Sequence, residues 1–408
     1  PSGGEFGPYI QSLRRNRYKE IADMLVASGH AYRCDCTAEM LAEEREKQKG
    51  SKEVPGYSGR CRDRSVPSDV RHVVRFRMPE PRPVSMNDAI RGNIEWERIP
   101  LRDPVLMKSD GFPTYHLAVV VDDHDMEITH VLRGEEWIPS APLHILLYEA
   151  LGWEPPTFCH LPVVLGPDRK KLSKRHGSTS WSSFRDEGYL PEAVLNFIVR
   201  IGWSPGEGDE QEIFSREELI ERFSLEQVNS ASAVFEYEKL NWMNGVYIRA
   251  LSPSDFIERV RPFFDRSQSR VDLAELGPLV PALQERARTL AEVPALVEFL
   301  EAKPLHREID QMISKKLSIE DAQRLLASIL EAFRSLESFT IESMESALNE
   351  VAVRLEMKAG NAFLVTRIAT LGKKATPPLF ESLLVMGRGL AIERIEETLE
   401  SCRNVRPD

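Results

Sequence analysis

Cysteine is scarce in this chain of 408 residues, which has only five, an odd number. So few cysteines exclude a secreted scaffold held together by disulfide bonds and fit a reducing compartment. Long apolar runs are also lacking, and the first residues carry no secretory signal pattern, so we expect a cytoplasmic protein that does not use a membrane. The apolar content of 42% and charged content of 29% are ordinary for a globular chain.

An excess of positive charge is missing as well, since the formal net charge is −11. This balance excludes nonspecific coating of nucleic acid, although local basic patches matter more than the total. One patch, residues 60–82, holds seven arginines against three acids. Within it, residues 72–77 alternate like a strand that turns Arg75 and Arg77 to one face, where they would follow a phosphate backbone. The competing interpretation is a solvated edge strand that its charges keep from pairing.

The densest positive charge lies in residues 169–176, which hold five Lys or Arg and one His in eight positions. This segment follows an apolar run and a turn-like Gly166-Pro167-Asp168. Lysines in such a loop suit the β- and γ-phosphates of ATP as pyrophosphate departs. A solvated basic loop is the competing interpretation. The order Lys171-Leu172-Ser173-Lys174-Arg175, after a strand and a turn, resembles the KMSKS signature of class I aminoacyl-tRNA synthetases.

Three further blocks carry a resemblance to bacterial-type glutamyl-tRNA synthetases. They are residues 108–123, 129–137 and 147–153, in the order and at the spacing of that family. The resemblance implies a monomeric enzyme that activates L-glutamate with ATP and Mg²⁺ and transfers it to tRNA(Glu). The implied fold is α/β plus all-α. It comprises a class I Rossmann-like catalytic domain whose N-terminal half is missing, an acceptor-stem insertion, and a C-terminal helical anticodon-binding region.

The resemblance also divides the chain into four regions. Residues 1–111 correspond to a remnant of the first Rossmann half plus the acceptor-stem insertion, and residues 112–170 to the second half of the catalytic domain. Residues 171–251 hold the Lys171–Arg175 loop and a stem-contact region. Residues 252–408 correspond to helical anticodon-binding domains, where Ser318 and Thr340 each precede an apolar stripe at helical spacing.

Three apolar segments predict strands of a doubly wound sheet, which binds ligands beyond the carboxyl ends of its strands. They are Leu117–Val121, expected to be buried on both faces, Ile128–Leu132 and Phe158–Leu165. Between the last two, Ser140 should cap a helix that turns Leu143, Leu146, Leu147 and Leu151 to one face. Arg133 follows one strand end, and its planar fork matches a carboxylate bidentately.

The resemblance assigns roles to individual residues. Tyr115, Arg133 and Trp137 correspond to glutamate-binding positions, and Glu136, Val164 and Lys174 to the ATP pocket. The catalytic loop is Lys171, Ser173, Lys174 and Arg175. Arg286 corresponds to a position that reads an anticodon base. Ordinary packing is the competing interpretation for Tyr115 and Trp137.

Three of the five cysteines, Cys34, Cys36 and Cys61, lie in one region of the chain. With Asp63 or Tyr57 as the fourth ligand, their thiolates would close a tetrahedral site for a single Zn²⁺. Some members of the family carry a matching zinc site in the domain that contacts the tRNA acceptor end. The competing interpretation is three reduced cysteines with no particular role.

The sequence lacks the His-Ile-Gly-His-like motif that packs against ATP in class I synthetases. We therefore expect about 60–70 further residues, two βα units, ahead of Pro1, and expect residues 1–408 alone to be inactive. The alternative is a catalytically inactive tRNA-binding or regulatory relative. Tyr115, Arg133 and the Lys171–Arg175 loop favour the enzyme, because a pure binder does not need them.

Overall fold

The computed structural model describes residues 3–48, 56–99, 102–177, 179–206, 208–303, 305–313 and 317–403. The chain divides into two compact units. Unit 1 contains residues 1–165, 202–209 and 222–233, and unit 2 contains residues 166–201, 210–221 and 234–408. Within the described ranges, every helix is too short or too polar to cross a bilayer.

Unit 1 combines helices with two small sheets. In chain order its elements are α1 (Arg15–Ala27), β1 (Ala31–Cys34), α2 (Ala38–Gln48), β2 (Val73–Phe76), β3 (Val84–Asp88), β4 (Gly92–Trp96), β5 (Val105–Met107), α3 (Tyr115–Asp125), β6 (His130–Gly134), α4 (Ala141–Leu151) and β7 (Thr157–Leu161). One sheet has the order β1-β2-β5 and is antiparallel. The other has the order β4-β3-β7-β6, and in it β7 pairs in parallel with both β3 and β6.

The segment β6–α4–β7 confirms the predicted half of a doubly wound sheet. Helix α4 is buried without interruption from Ala141 to Tyr148, so it forms the centre of this unit's core. It ends at Gly152, whose φ of 70° lies in the left-handed region that glycine adopts without a Cβ clash. Ser140 is the N-cap residue, as predicted, but its side chain makes no capping bond. The reason is that Ser140 has near-helical angles rather than the extended ones that aim a capping oxygen.

The predicted strand at Leu117–Val121 is wrong, because these residues lie inside helix α3. The buried positions Leu117, Val120 and Val121 are three and four residues apart, which is one helical face. A short apolar run cannot be assigned by periodicity alone, and the length of the whole segment decides. On α3, Asp122 and Asp125 form ion pairs with Arg14, at 2.7 and 2.8 Å.

Unit 2 is helical throughout its described residues. Its α-helices are α5 (Trp181–Asp186), α6 (Pro191–Gly202), α7 (Arg216–Arg222), α8 (Tyr237–Ala250), α9 (Pro253–Ser267), α10 (Val280–Arg286), α11 (Val293–Leu296), α12 (Ile319–Ser335), α13 (Ile341–Arg354), α14 (Ala359–Leu371) and α15 (Leu379–Arg403), with a kink at Gly387. Short 3-10 turns are interspersed among them. The predicted starts at Ser318 and Thr340 are confirmed, since each side chain accepts a backbone N–H three residues on.

Asp123 on α3 gives a prediction for the pH dependence of stability. Burial and then the charge of Asp122 raise the pKa of Asp123 to about 6, against the opposing charge of Arg133. The unfolded chain releases this proton near pH 4, so ionisation of Asp123 disfavours the native state as pH rises from about 4 to 6. Asp123→Asn should therefore raise the free energy of unfolding at pH 7.5 by about 1 kcal/mol, allowing for solvent screening.

Asp125→Asn is the matched control, with the opposite sign. Although burial opposes the shift, hydrogen bonds and charge from Arg17 lower the pKa of Asp125, so its carboxylate stabilises the fold at neutral pH. Urea denaturation at several pH values measures both variants against the wild type. The difference in free energy of unfolding between each variant and the wild type should shrink towards zero at low pH. A loss of stability in Asp123→Asn at pH 7.5 contradicts the account.

Candidate active site

Three polar residues lie at the carboxyl ends of three neighbouring strands in unit 1. Asp88 is the last residue of β3, His160 the penultimate residue of β7, and Arg133 the penultimate residue of β6. Arg133 and His160 are direct partners in the parallel β6–β7 register, so their side chains leave the sheet on the same face. This end of a parallel sheet is where doubly wound folds bind ligands.

The guanidinium of Arg133 is held by two imidazoles. Its Nε donates to His160 Nε2 at 3.0 Å, and its Nη1 lies 3.2 Å from His144 Nδ1. Its central carbon lies 5.2 Å from the centre of the Phe158 ring. Its Nη2 is buried and has no hydrogen-bond partner in the part of the chain that the structure describes. The fork is thus fixed at two corners, and the third makes no hydrogen bond within the described residues.

The aromatic residues predicted to bind glutamate lie beside this fork. Tyr115 begins α3, so it does not precede a strand as expected, and it is 43% exposed. Its ring lies 4.5 Å from the Trp137 ring and 6.0 Å from the His144 ring, measured between centres. Since His144 also contacts Arg133, the structure brings the three predicted residues together. Their role as glutamate contacts stays a prediction.

Glu135 joins the two segments predicted to line the ATP pocket. Its carboxylate accepts a hydrogen bond from the Val163 backbone N–H at 3.1 Å and pairs with Arg91 at 2.5 Å. Val164 is therefore tied to the 3-10 helix 135–140, which carries Glu136. An added Cβ at Gly134 would meet the Glu136 carboxylate, so a larger residue there would displace that side chain.

The Lys171–Arg175 loop belongs to unit 2 and is organised by two residues that flank it, Asp168 and His176. Asp168 pairs with Arg175 at 3.4 Å and with His176 at 3.3 Å, while His176 Nδ1 accepts the Ser173 backbone N–H at 3.1 Å. Lys171, Ser173 and Arg175 are exposed. The side chain of Lys174 lies outside the described residues, so its catalytic role stays a prediction.

Sequence reasoning missed the histidines and the acid that surround Arg133. His144, His160 and Asp88 are at most 2% exposed, and His116 Nδ1 lies 3.0 Å from His144 Nε2. A signal was present, because both His144 and His160 interrupt apolar runs. A polar side chain inside an apolar run must have a buried partner, which marks it as part of a network.

The predicted cysteines come together in unit 1. The Sγ atoms of Cys34, Cys36 and Cys61 all lie within 4.8 Å of one another. Asp63 is not beside them, because its exposed carboxylate pairs with Arg77 at 3.1 Å. Tyr57, the other predicted ligand, has its Oη 3.4 Å from Cys34 Sγ. Asp35, which was not predicted, lies 3.3 Å from Cys61 Sγ. It is therefore another candidate for the fourth ligand.

The predicted arginine face is wrong for Arg75, which is buried in β2, whereas the tRNA-binding role of Arg77, just past β2, stays a prediction. Arg75 is only 7% exposed, donates to the Asp103 carbonyl at 3.0 Å, and lies 3.9 Å from the Tyr57 ring centre. Arg77 is half-buried and pairs with Asp63. The alternative of a solvated edge strand is also wrong, because β2 is the central strand of its sheet. Pairing on both sides turns Arg75 into a packing residue beside the cysteine cluster.

Arg286 ends α10 and is exposed at a cavity of about 430 Å³ in unit 2. Leu296, Phe299, Lys373 and Pro377 also line this cavity. Its size is in the range of ligand pockets. The prediction that Arg286 reads an anticodon base stays a prediction.

Comparisons with known proteins agree with this architecture. Residues 3–242 match the family model "tRNA synthetases class I (E and Q), catalytic domain", and residues 255–399 match "Anticodon binding domain". A glutamate–tRNA ligase of Dehalococcoides mccartyi is 44% identical over 96% of this chain and 81% of its own length. The chain belongs to the glutamate–tRNA ligases.

Other members of the family agree. A glutamate–tRNA ligase of Treponema pallidum is 39% identical over 98% of this chain and 80% of its own length. A solved glutamate–tRNA ligase of Elizabethkingia meningosepticum, in complex with its amino acid, is 32% identical with a TM-score of 0.87, over 98% of this chain and 85% of that one. The predicted class I catalytic fold with a helical anticodon-binding region is therefore confirmed, and the alternative of an inactive relative is not favoured.

Proposed function

We propose that this glutamate–tRNA ligase joins L-glutamate to ATP as glutamyl-adenylate, releasing pyrophosphate, and then transfers the glutamyl group to the 3′ end of tRNA(Glu), releasing AMP. Mg²⁺ would neutralise charge on the phosphates. The enzyme would act in the cytoplasm as a monomer. The curated relatives carry the name of this ligase activity, which supports the proposal.

The observation that carries the proposal is Nη2 of Arg133, which has no hydrogen-bond partner in the described part of the chain. The guanidinium is charged at every relevant pH, yet its two fixed contacts are neutral rings. A buried guanidinium whose direct partners are neutral favours an anionic ligand. The γ-carboxylate of glutamate supplies that anion, with the Tyr115–Trp137 pair covering the apolar part of the substrate.

For the tRNA, we propose a basic groove of unit 1 in place of the buried Arg75. Arg15, Lys19, Arg71 and Lys108 line it, together with Asp23 and Asp69. Lys19 and Lys108 are exposed, unlike Arg75. Cations along an open groove can follow a phosphate backbone, which buried arginines cannot.

We further propose that the cysteine cluster holds Zn²⁺, with Tyr57 or Asp35 as the fourth ligand. Three sulfur atoms at this separation match a tetrahedral site. Bound zinc would tie β1 to the segment that carries Tyr57 and Cys61 and hold this part of the acceptor-end region together.

Metal analysis tests the zinc proposal directly. The purified protein should hold close to one equivalent of zinc, and Cys36→Ser should lose it, because one of the three thiolates is gone. Cys159→Ser is the matched control, since Cys159 is equally free of disulfides but lies outside the cluster. A wild-type protein that contains no zinc, or Cys36→Ser retaining a full equivalent, would refute the site.

Lys174→Ala, in protein made from the complete gene, should slow adenylate formation by more than tenfold. Lys174 is proposed to act on charge that develops on the departing pyrophosphate, which is strongest in the transition state. Pyrophosphate exchange measures the rate and a gel shift measures tRNA affinity. Lys303→Ala, a charge change elsewhere in unit 2, serves as the control. Equal losses of rate and tRNA affinity would instead make Lys174 a contact to the tRNA backbone.

Arg133→Lys, in the same protein, should raise the KM for glutamate by about a hundredfold or more, because the lost fork leaves a buried carboxylate poorly paired. The KM for ATP should change only a few-fold. Arg82→Lys is the control, since Arg82 pairs with Glu149 on the surface. A glutamate KM that stays within threefold of the wild type contradicts the assignment of Arg133.

A further inference from the structure

A chain of hydrogen bonds runs from β3 through β7 to β6. His160 Nδ1 lies 2.6 Å from Asp88 Oδ2, and His160 Nε2 lies 3.0 Å from Arg133 Nε. An arginine nitrogen can only donate, so His160 Nε2 must accept and carries no proton. The proton of the neutral ring is therefore on Nδ1, where it is donated to the Asp88 carboxylate. The structure thus fixes one tautomer of His160.

Asp88 is itself held in place by the backbone. Its Oδ1 accepts the N–H groups of Ile90 and Arg91, both at 3.0 Å, in the turn that joins β3 to β4. The backbone N–H of His160 lies 3.1 Å from Asp88 Oδ2. A carboxylate that accepts this many hydrogen bonds is held in one orientation. Asp88 is therefore a rigid support for the His160 ring.

A second series of hydrogen bonds reaches Arg133 from α4. His144 Nδ1 faces Arg133 Nη1 at 3.2 Å, so by the same reasoning Nδ1 accepts and the proton lies on Nε2. That Nε2–H donates to His116 Nδ1 at 3.0 Å, on α3. His144 therefore has the opposite tautomer from His160. Both rings present a lone pair to the guanidinium.

These contacts orient the fork without cancelling its charge. Asp88 reaches Arg133 only through a whole imidazole, and Asp123 acts on Arg133 through its charge. A carboxylate in direct contact would have paired the guanidinium and reduced its preference for an anionic ligand. Because the two imidazoles are neutral acceptors, the positive charge of the guanidinium remains to attract an anionic substrate. Such a site rejects a neutral amide in place of a carboxylate, because the cation would then stay buried and unpaired.

We propose that His160, supported by Asp88, and His144, supported by His116, are positioning residues that aim Nη2 of Arg133 at the substrate side-chain carboxylate and so set the preference for glutamate over glutamine. This inference rests on the proposed function, in which Arg133 binds that carboxylate. Ionisation supports it: burial and then the charge of Arg133 lower the pKa of His144 to about 3 and also lower that of His116. Burial lowers the pKa of His160 as well, against its bond to Asp88.

Amide substitutions at the two histidines form a crossed test. A Gln amide reaches the place of Nε2, whereas an Asn amide reaches the place of Nδ1. H160Q can therefore keep an acceptor for Arg133 Nε, and H160N cannot. At position 144 the order is reversed, because there Nδ1 is the acceptor. The protein made from the complete gene is assayed for aminoacylation with glutamate and with glutamine.

At position 160 the Asn variant should be the more damaging one, and at position 144 the Gln variant should be. H160N and H144Q should raise the KM for glutamate at least tenfold and lower the glutamate-to-glutamine ratio of kcat/KM by a similar factor. H160Q and H144N should lose clearly less than H160N and H144Q, because they keep the acceptor for Arg133 and lose only the second hydrogen bond of the ring. The KM for ATP should stay within about threefold of the wild type in all four variants. Equal losses within each pair, or losses shared by ATP, mark the histidines as packing residues only and overturn the proposal.

A spectroscopic measurement tests the tautomers without any substrate. The chain has nine histidines, so the nitrogen spectrum of histidine-labelled protein can be assigned by substitution. His160 should be protonated on Nδ1 and His144 on Nε2 at pH 7. An imidazolium or the reverse tautomer at either ring overturns the inference. A wild type with these tautomers but no glutamate-dependent reaction would instead count against the proposed function alone.

Discussion

The candidate site depends on one constraint: a buried guanidinium that the fold orients but does not neutralise. Arg133 is fixed through Nε and Nη1, while its Nη2 has no partner among the described residues. The contacts come from β7 and α4, so the geometry of the fork depends on the whole β6–α4–β7 unit. A shift of either neighbour would change where the charge points.

This arrangement explains why polar groups are buried in the middle of an apolar core. His144 lies in a helix that is otherwise packed into the core of unit 1, and His160 lies on the strand between β3 and β6. Buried polar groups destabilise a fold unless each hydrogen bond is made. Here each imidazole nitrogen named above meets a complementary group, from the Asp88 carboxylate to His116. Among the described residues, Nη2 of Arg133 makes no such bond.

Much of this architecture follows from sequence, because its signals are local. The β6–α4–β7 unit and the starts of α12 and α13 at Ser318 and Thr340 came from apolar spacing and capping residues. Arg133 was predicted from the end of an apolar run together with the family resemblance. The cysteines were found by their proximity in the chain.

The wrong predictions share a different physical origin. The sequence does not show which distant residues pack against a given side chain. Leu117–Val121 is helical, and the acids that follow it on α3 pair with Arg14 and Arg17, more than a hundred positions away. Arg75 alternates like a surface residue, yet it packs on Tyr57 inside a central strand. Asp63 follows Cys61 closely in sequence but turns to Arg77 instead of the sulfur atoms. His160 and Asp88 are separated by 72 positions, so only the parallel β3–β7 pairing brings them together.

A crystal structure of the protein made from its complete gene, with glutamate bound, tests the central claim most directly. The account predicts one oxygen of the γ-carboxylate at about 2.7–2.9 Å from Arg133 Nη2, the usual length of a charge-assisted bond. The contacts from Nε to His160 and from Nη1 to His144 should persist unchanged. A glutamate whose side chain binds elsewhere, or an Arg133 that leaves His160 to reach it, would contradict the account.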